Sequence, residues 1–387
     1  MHIEYSYGFN SVYLTTTKGD CMEELSLHSH QLNRRDFLKI AGMSLALLGL
    51  SKAFMPQMVK ALEKQAGKPA VIWLEGQDCA GCTESFLNSL EPTAVSILLD
   101  TISLRYHETA MAASGYLAEE ALEQTIEEGG YILVIEGAIP MGADGLYCTI
   151  GGKTFRDIVG EAASKAAVIV PVGSCATYGG IPRSGPTDSV GYLFRGTQKH
   201  HYYDAVAGGK PVINLPTCPL HPERLVAVLV HYLTFGTVPP LDQFNRPLAF
   251  YGTLQHDNCE RRGHFDAGRF ITDWGDPNQI GWCLYLKGCK GPWAYQDCWK
   301  RKWNNRVNYC VQANAPCTAC SEPEFFESFS PVYERRFDVG LPGGGKVEID
   351  KIMGTVAAVT AVGTGANLLI DRYMEKKNGE KTEDKEA

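Results

Sequence analysis

The chain is 387 residues long, with 44% hydrophobic residues, a net charge of −8 and a pI near 5.7. That is enough apolar side chain for one large domain or two ordinary ones. The acidic balance leaves no general basic patch, which excludes a nucleic-acid backbone as a partner.

Residues 1–66 read as an address rather than as folded structure. A polar stretch leads to Asn33-Arg34-Arg35-Asp36-Phe37-Leu38-Lys39, followed by an apolar run from Ile40 to Phe54. An arginine pair before a moderately apolar core of about 15 residues is the pattern of a twin-arginine signal, which addresses the chain to the twin-arginine translocase. Export by that route carries folded, cofactor-loaded proteins, so the leader already implies a cofactor. Cleavage is expected between Ala53 and Gly67, and Cys21 would be lost with the leader.

Short apolar runs follow: Ala70 to Glu75, Ile102 to Tyr106, Tyr131 to Glu136, Ala167 to Val172 and Val212 to Leu215. Segments with helical spacing, such as Leu117 to Glu128 and Phe155 to Ala163, lie between several of them. Continuous apolar strands alternating with helices predict an α/β fold with a doubly wound parallel sheet, whose ligands sit beyond the carboxyl ends of the strands. Cysteines stand at those ends. Cys79 and Cys82 follow the first strand, Cys175 the fourth and Cys218 the fifth. Four thiols converging on one edge suit either a 4Fe-4S cluster or a four-cysteine zinc site.

From about Arg246 the alternation fades, and turn residues and aromatics rise. His256-x-x-Cys259, Cys283, Cys289, Cys298, Cys310 and Cys317-x-x-Cys320 fall within one stretch. Disulfides are the ordinary expectation for an exported protein, but seven cysteines are an odd number and a histidine flanks them. Near the other terminus, Ile352 to Ile370 is an almost uncharged run of 19 residues closed by Asp371-Arg372. It is just long enough to span a bilayer as a helix and is expected to anchor the chain, with the charged tail after Lys376 on the cytoplasmic side.

Several blocks, taken in order, resemble one family. They are Cys79-Ala-Gly-Cys82-Thr-Glu-Ser, Glu136-Gly-Ala-Ile-Pro, Gly-Ser-Cys175, Thr-Cys218-Pro-Leu-His-Pro, His256-Asp-Asn-Cys259-Glu-Arg-Arg, Gly-Cys289-Lys-Gly-Pro and Pro-Cys317-Thr-Ala-Cys320-Ser-Glu-Pro. From Pro69 to Tyr333 the chain resembles the small subunit of nickel-iron hydrogenases. The leader and C-terminal helix resemble those of the exported, membrane-associated uptake group. The resemblance implies a flavodoxin-like doubly wound sheet domain over 67–245, an irregular iron-sulfur-binding C-terminal domain over 246–345, and an anchor helix and charged tail over 346–387.

It also implies three clusters and no catalytic residue in this chain. Cys79, Cys82, Cys175 and Cys218 would hold a proximal 4Fe-4S cluster, and His256, Cys259, Cys283 and Cys289 a distal 4Fe-4S cluster. Cys298, Cys317 and Cys320 would hold the medial one. Many members keep a 3Fe-4S medial cluster and carry a proline where Cys310 stands here, so Cys310 is expected to complete a 4Fe-4S medial site. Cys148 is left as structural. Eleven of the thirteen cysteines, with His256, then fill three four-ligand sites, which favours iron-sulfur over zinc. Oxygen-tolerant members carry two extra cysteines at positions that here are Gly81 and Gly180, so an oxygen-sensitive enzyme is expected.

The implied partners are the nickel-iron large subunit, which splits H2, and a membrane cytochrome b or periplasmic cytochrome as electron acceptor. Glu84, beside the proximal ligands, is a candidate for proton movement; hydrogen bonding to backbone amides near the cluster is its plainer role. Arg261 and Arg262 are candidates for steering an acceptor. A ferredoxin-type carrier working alone is the alternative, but a plain carrier needs no such large scaffold. The related quinone-oxidoreductase subunit shares the proximal fold and lacks the cysteine-rich cap.

Overall fold

The computed structural model describes residues 68–327 almost continuously, with residues 91, 92, 95, 96 and 99–101 excepted. Shorter described pieces are the strands Glu4–Gly8, Ser11–Thr15, Val339–Gly340 and Lys346–Val347, residues 332–334 and helical residues within 359–372. Cys21, Arg34, Arg35, the apolar run after them and the tail after Lys376 lie outside the described residues.

Four strands form the central sheet: β1 (Ala70–Glu75), β2 (Ser103–His107), β3 (Ile132–Glu136) and β4 (Val168–Val172). All neighbours are parallel, in the order β2-β1-β3-β4. Residues 212–215 lie along the outer side of β4 as a fifth, interrupted strand. Ile213 N donates to Ile169 O at 2.9 Å and Leu215 N to Pro171 O at 3.0 Å. Pro171 has no N–H to give to Ile213, so the ladder survives only as two separate bridges, Ile169 to Val212 and Val172 to Leu215. The order 2-1-3-4-5 is the flavodoxin-like winding, with its switch point between β1 and β3.

Both faces of the sheet are buried, as the continuous apolar runs require. Val71 and Trp73 point into one core with Val134, Val170 and the helix α5 (Pro222–Phe235). Ile72 and Leu74 point into the other with Leu133, Ile135 and the helix α3 (Phe155–Lys165). The helix α2 (Tyr116–Glu128) adds Leu122 to that second face. Local chemistry sets the helix limits. Thr154 Oγ1 caps α3 by accepting from Asp157 N at 3.2 Å, and Phe155, Ile158, Val159, Ala162 and Ala163 form its buried stripe. Pro222 opens α5 and Gly236 closes it in the left-handed conformation.

From Arg246 to residue 327 the chain forms short helices, including α6 (Leu248–Tyr251), α7 (Arg262–Asp266) and α8 (Cys298–Arg301), joined by turns. Its core contains Ile271, Leu284, Tyr309 and Val311 together with Cys298 and Cys317, and Cys259, Cys289 and Cys320 pack against it. Buried ionic contacts fasten this cap to the sheet domain. Arg246 bonds Asp242 at 2.7 Å and reaches Glu322 Oε1 at 3.1 Å and Ser321 O at 3.0 Å. Arg183 donates to Pro323 O at 3.1 Å.

Among the described residues no helix is long and apolar enough to cross a membrane. Residues 359–368 of the expected anchor are helical, with Val359, Val362 and Leu368 exposed. Residues 352–358 lie outside the described residues.

Candidate functional site

The first group of thiols sits at the carboxyl edge of the sheet. Cys79 lies in the loop after β1, and Cys82 in the first turn of the helix α1 (Gly81–Leu87), which opens at Ala80 with φ 55°. Cys175 lies in the helix α4 (Gly173–Tyr178), which starts directly at the end of β4, and Cys218 follows residues 212–215. These four are close enough to repel one another once charged: Cys82 feels Cys175 and Cys218, and Cys175 feels Cys218 and Cys79. Gly173 is required here, because a side chain on it would stand 2.5 Å from Cys82 Sγ and its φ is +77°. Gly81 and Gly180 border the same thiols; a Cβ on either would lie 3.0 Å from Cys79 Sγ or 2.9 Å from Cys175 Sγ.

The second group lines a small cavity in the cap, formed by His256, Cys259, Cys283 and Cys289 with Arg261, Tyr285 and Val311. The His256 ring stands edge-on to Phe265 at 4.5 Å. Burial and the nearby Arg262 lower its pKa, so the imidazole is neutral and its lone pair is available. The third group, Cys298, Cys310, Cys317 and Cys320, lines a larger cavity of about 380 Å³ that Cys218 also borders. The groups are in contact with one another. Cys218 and Cys320 border the same cavity, and Ser174 Oγ, beside Cys175, donates to Cys320 O. Cys317 N donates to Cys289 Sγ at 3.3 Å. The middle set therefore touches both others.

Burial is the main influence on Cys82, Cys175 and Cys218 and on the seven thiols of the cap. It pushes Cys175 up to about 12 and Cys289 up to about 11, and holds Cys82 and Cys317 well above the ordinary range. Buried, clustered thiols of this kind are protonated when free and give up protons on binding metal. Backbone amides already point at the sulfurs: Leu220 N to Cys82 at 3.2 Å, Arg261 N to Cys259 at 3.4 Å and Ala319 N to Cys317 at 3.5 Å. Amide donors to sulfur are the environment of an iron-sulfur cluster. None of the described cysteines forms a disulfide. The donor sets fit clusters.

Glu84 is exposed on α1, and the amides it was a candidate to hold are taken by another residue. Cys82 N and Thr83 N donate to Glu136 Oε1 at 2.9 and 3.2 Å, while Thr83 Oγ1 and Trp73 Nε1 donate to Oε2 at 2.6 and 3.0 Å. Glu136 ends β3, at the switch point, and braces the loop that carries Cys79 and Cys82. Its sequence signal is a charged residue closing an apolar strand. Arg261 is buried, bonded to Trp282 O at 2.8 Å, and so braces the second cavity, while Arg262 is partly exposed and paired with Asp257 and Asp266. Cys148 is half-buried beside the core and belongs to none of the three groups.

Comparison with known proteins agrees with this geometry. Residues 251–333 match the family model for the C-terminal part of the NiFe/NiFeSe hydrogenase small subunit. Residues 79–232 match that of the NADH ubiquinone oxidoreductase 20 Kd subunit. The chain is 39% identical over 361 residues to the quinone-reactive Ni/Fe-hydrogenase small chain of Wolinella succinogenes, covering 91% of this chain and 99% of that one. It is 41% identical over 305 residues to the periplasmic NiFe hydrogenase small subunit 1 of Nitratidesulfovibrio vulgaris, covering 78% and 93%. Among solved structures, the Ni-Fe-Se hydrogenase of Desulfomicrobium baculatum superposes with a TM-score of 0.64 at 36% identity, covering 70% of this chain and all of that one. On its fold, its cysteine framework and these relatives, the chain belongs to the nickel-iron hydrogenase small-subunit family.

Proposed function

We propose that this protein carries electrons between a nickel-iron large subunit and an acceptor at the membrane or in the periplasm, over three iron-sulfur clusters in series. The observation that carries the reading is the contact of the three donor sets: Cys218 and Cys320 border one cavity, Ser174 Oγ bonds Cys320 O, and Cys317 N bonds Cys289 Sγ. Cys79, Cys82, Cys175 and Cys218 hold the proximal 4Fe-4S cluster. Cys298, Cys310, Cys317 and Cys320 hold a medial 4Fe-4S cluster, and His256, Cys259, Cys283 and Cys289 hold the distal one. When bound, the clusters supply one-electron carriers, so the two electrons of H2 leave the partner's nickel-iron site one at a time. The protein's part is to fix the ligands, exclude water and aim amides at the sulfurs.

Export by the arginine pair and anchoring by residues 352–370 complete the proposal. The named relatives include a periplasmic and a quinone-reactive enzyme, which supports this side of the membrane. A membrane cytochrome b or a periplasmic cytochrome is the acceptor.

The test is an iron and sulfide count with electron paramagnetic resonance on the purified heterodimer. Three 4Fe-4S clusters give about twelve irons in this chain, whereas a 3Fe-4S medial cluster gives about eleven. The variant Cys310→Pro should lose one iron and gain the three-iron signal in the oxidised protein; a wild-type protein already showing that signal would remove Cys310 from the ligand set. With glycine at positions 81 and 180, H2 oxidation should stop under low oxygen, and sustained turnover there would refute an ordinary proximal cluster.

A further inference from the structure

Arg224 is the largest side chain in the molecule with no exposed surface among the described residues. It projects from the first turn of α5, a helix otherwise devoted to the apolar core, toward the cap. Its Nη2 atom bonds Asp297 Oδ1 at 2.6 Å and also faces Cys298 Sγ at 3.9 Å. Nε reaches the same Asp297 oxygen at 3.2 Å, Nη1 reaches Tyr251 Oη at 3.3 Å, and the guanidinium lies 4.9 Å from the Tyr251 ring centre. Arg301 binds the other Asp297 oxygen at 2.9 Å and Glu223 at 2.8 Å.

Arg301 therefore already ties the cap to α5 through Glu223. Arg224 duplicates that strut at one end and points its remaining N–H at a sulfur. A guanidinium keeps its charge in any protein environment, and a buried charge acts strongly over a few ångströms because little water screens it. The same Nη2 that bonds the Asp297 carboxylate also faces Cys298 Sγ, so the cation of the pair lies directly beside the sulfur.

We infer that the buried Arg224 guanidinium raises the reduction potential of the group held by Cys298, offsetting the lowering that a fourth thiolate from Cys310 brings. A cation beside the ligand favours the reduced, more negative state, and hydrogen bonds to cluster sulfurs and net charge both set potential. Arg224 is thus a positioning residue for electron flow through the middle of the chain. The inference rests on the medial-cluster reading above.

The experiment is a redox titration of the heterodimer followed by electron paramagnetic resonance, made in the Cys310→Pro background where the three-iron signal isolates the medial group. Arg224→Gln should lower the midpoint, changing the reduced-to-oxidised ratio at fixed potential about tenfold, or about 59 mV for one electron. Arg224→Lys should restore most of it. Asp297→Asn, which removes the opposing charge and keeps Arg224, should move the midpoint upward. This second variant carries the test if Arg224→Gln does not assemble. A three-iron signal with an unmoved midpoint in either variant would overturn the inference. Shifts of the same sign in both would also overturn it, by marking a packing effect. Absence of the three-iron signal in the Cys310→Pro parent itself would instead refute the ligand assignment beneath it.

Discussion

Glu108, just past the end of β2, holds a proton where an exposed glutamate would not. Burial pushes its pKa up to about 8, with Glu75 and Asp78 adding like-charge repulsion. Its Oε2 accepts from Glu75 N at 3.1 Å, and Oε1 is buried without a hydrogen-bond partner among the described residues. The unfolded chain releases this proton near pH 4.3, so between about 4.3 and 8 the folded state binds the extra proton. Stability should therefore fall as pH rises through that window and level off above it. Glu108→Gln should remove this part of the fall, which thermal melting of the heterodimer from pH 5 to 9 would show; equal slopes in variant and wild type would contradict it. The cysteines that gather into the three groups stand out one by one from their motifs. Glu136 and Arg224 do not, because a carboxylate closing a strand or an arginine in an apolar helix has no meaning until its partners arrive from 53 to 74 residues away.

At the scale of elements, strand and helix positions followed from apolar periodicity to within a residue or two, and the fifth strand was found where its apolar run stands. Its interruption traces to Pro171 in β4, a position that propensity for isolated strands does not weigh against neighbours. The cap is different: its turns carry no hydrophobic period, and it is held to the sheet by buried ion pairs. Arg246 is the clearest of these, its side chain only 4% exposed and facing Asp242, Glu322 and the Ser321 carbonyl. Arg246→Ala leaves two carboxylates without their cation and should cost about 3–5 kcal/mol. Limited proteolysis of the heterodimer should then cut faster in the cap, and an unchanged cleavage rate would show that the latch lies elsewhere.

For the molecule as a whole, the two domains stand on different physical footing. The sheet domain has two apolar cores, one on each face, whereas the core of the cap is built in part from Cys298, Cys317, Cys289, Cys259 and Cys320. Structure that depends on ligands for its core draws folding free energy from metal binding. Stripping iron from the purified protein with a chelator under reducing conditions should leave the sheet domain protease-resistant and open the cap to digestion after about residue 246. A cap that stays resistant without iron would show that its aromatic packing suffices.

The sequence by itself determined the fold class and the family, and supplied the thiols and the histidine as candidates, because apolar period and cysteine spacing are local and survive in the one-dimensional string. Tertiary structure alone decided which thiols share a cavity, that the middle set touches both others, that Glu136 braces the first loop and that Arg224 faces a sulfur. Those facts depend on distances between residues far apart in the chain, and distance is what folding, through burial of both sheet faces and the pairing of buried charges, creates.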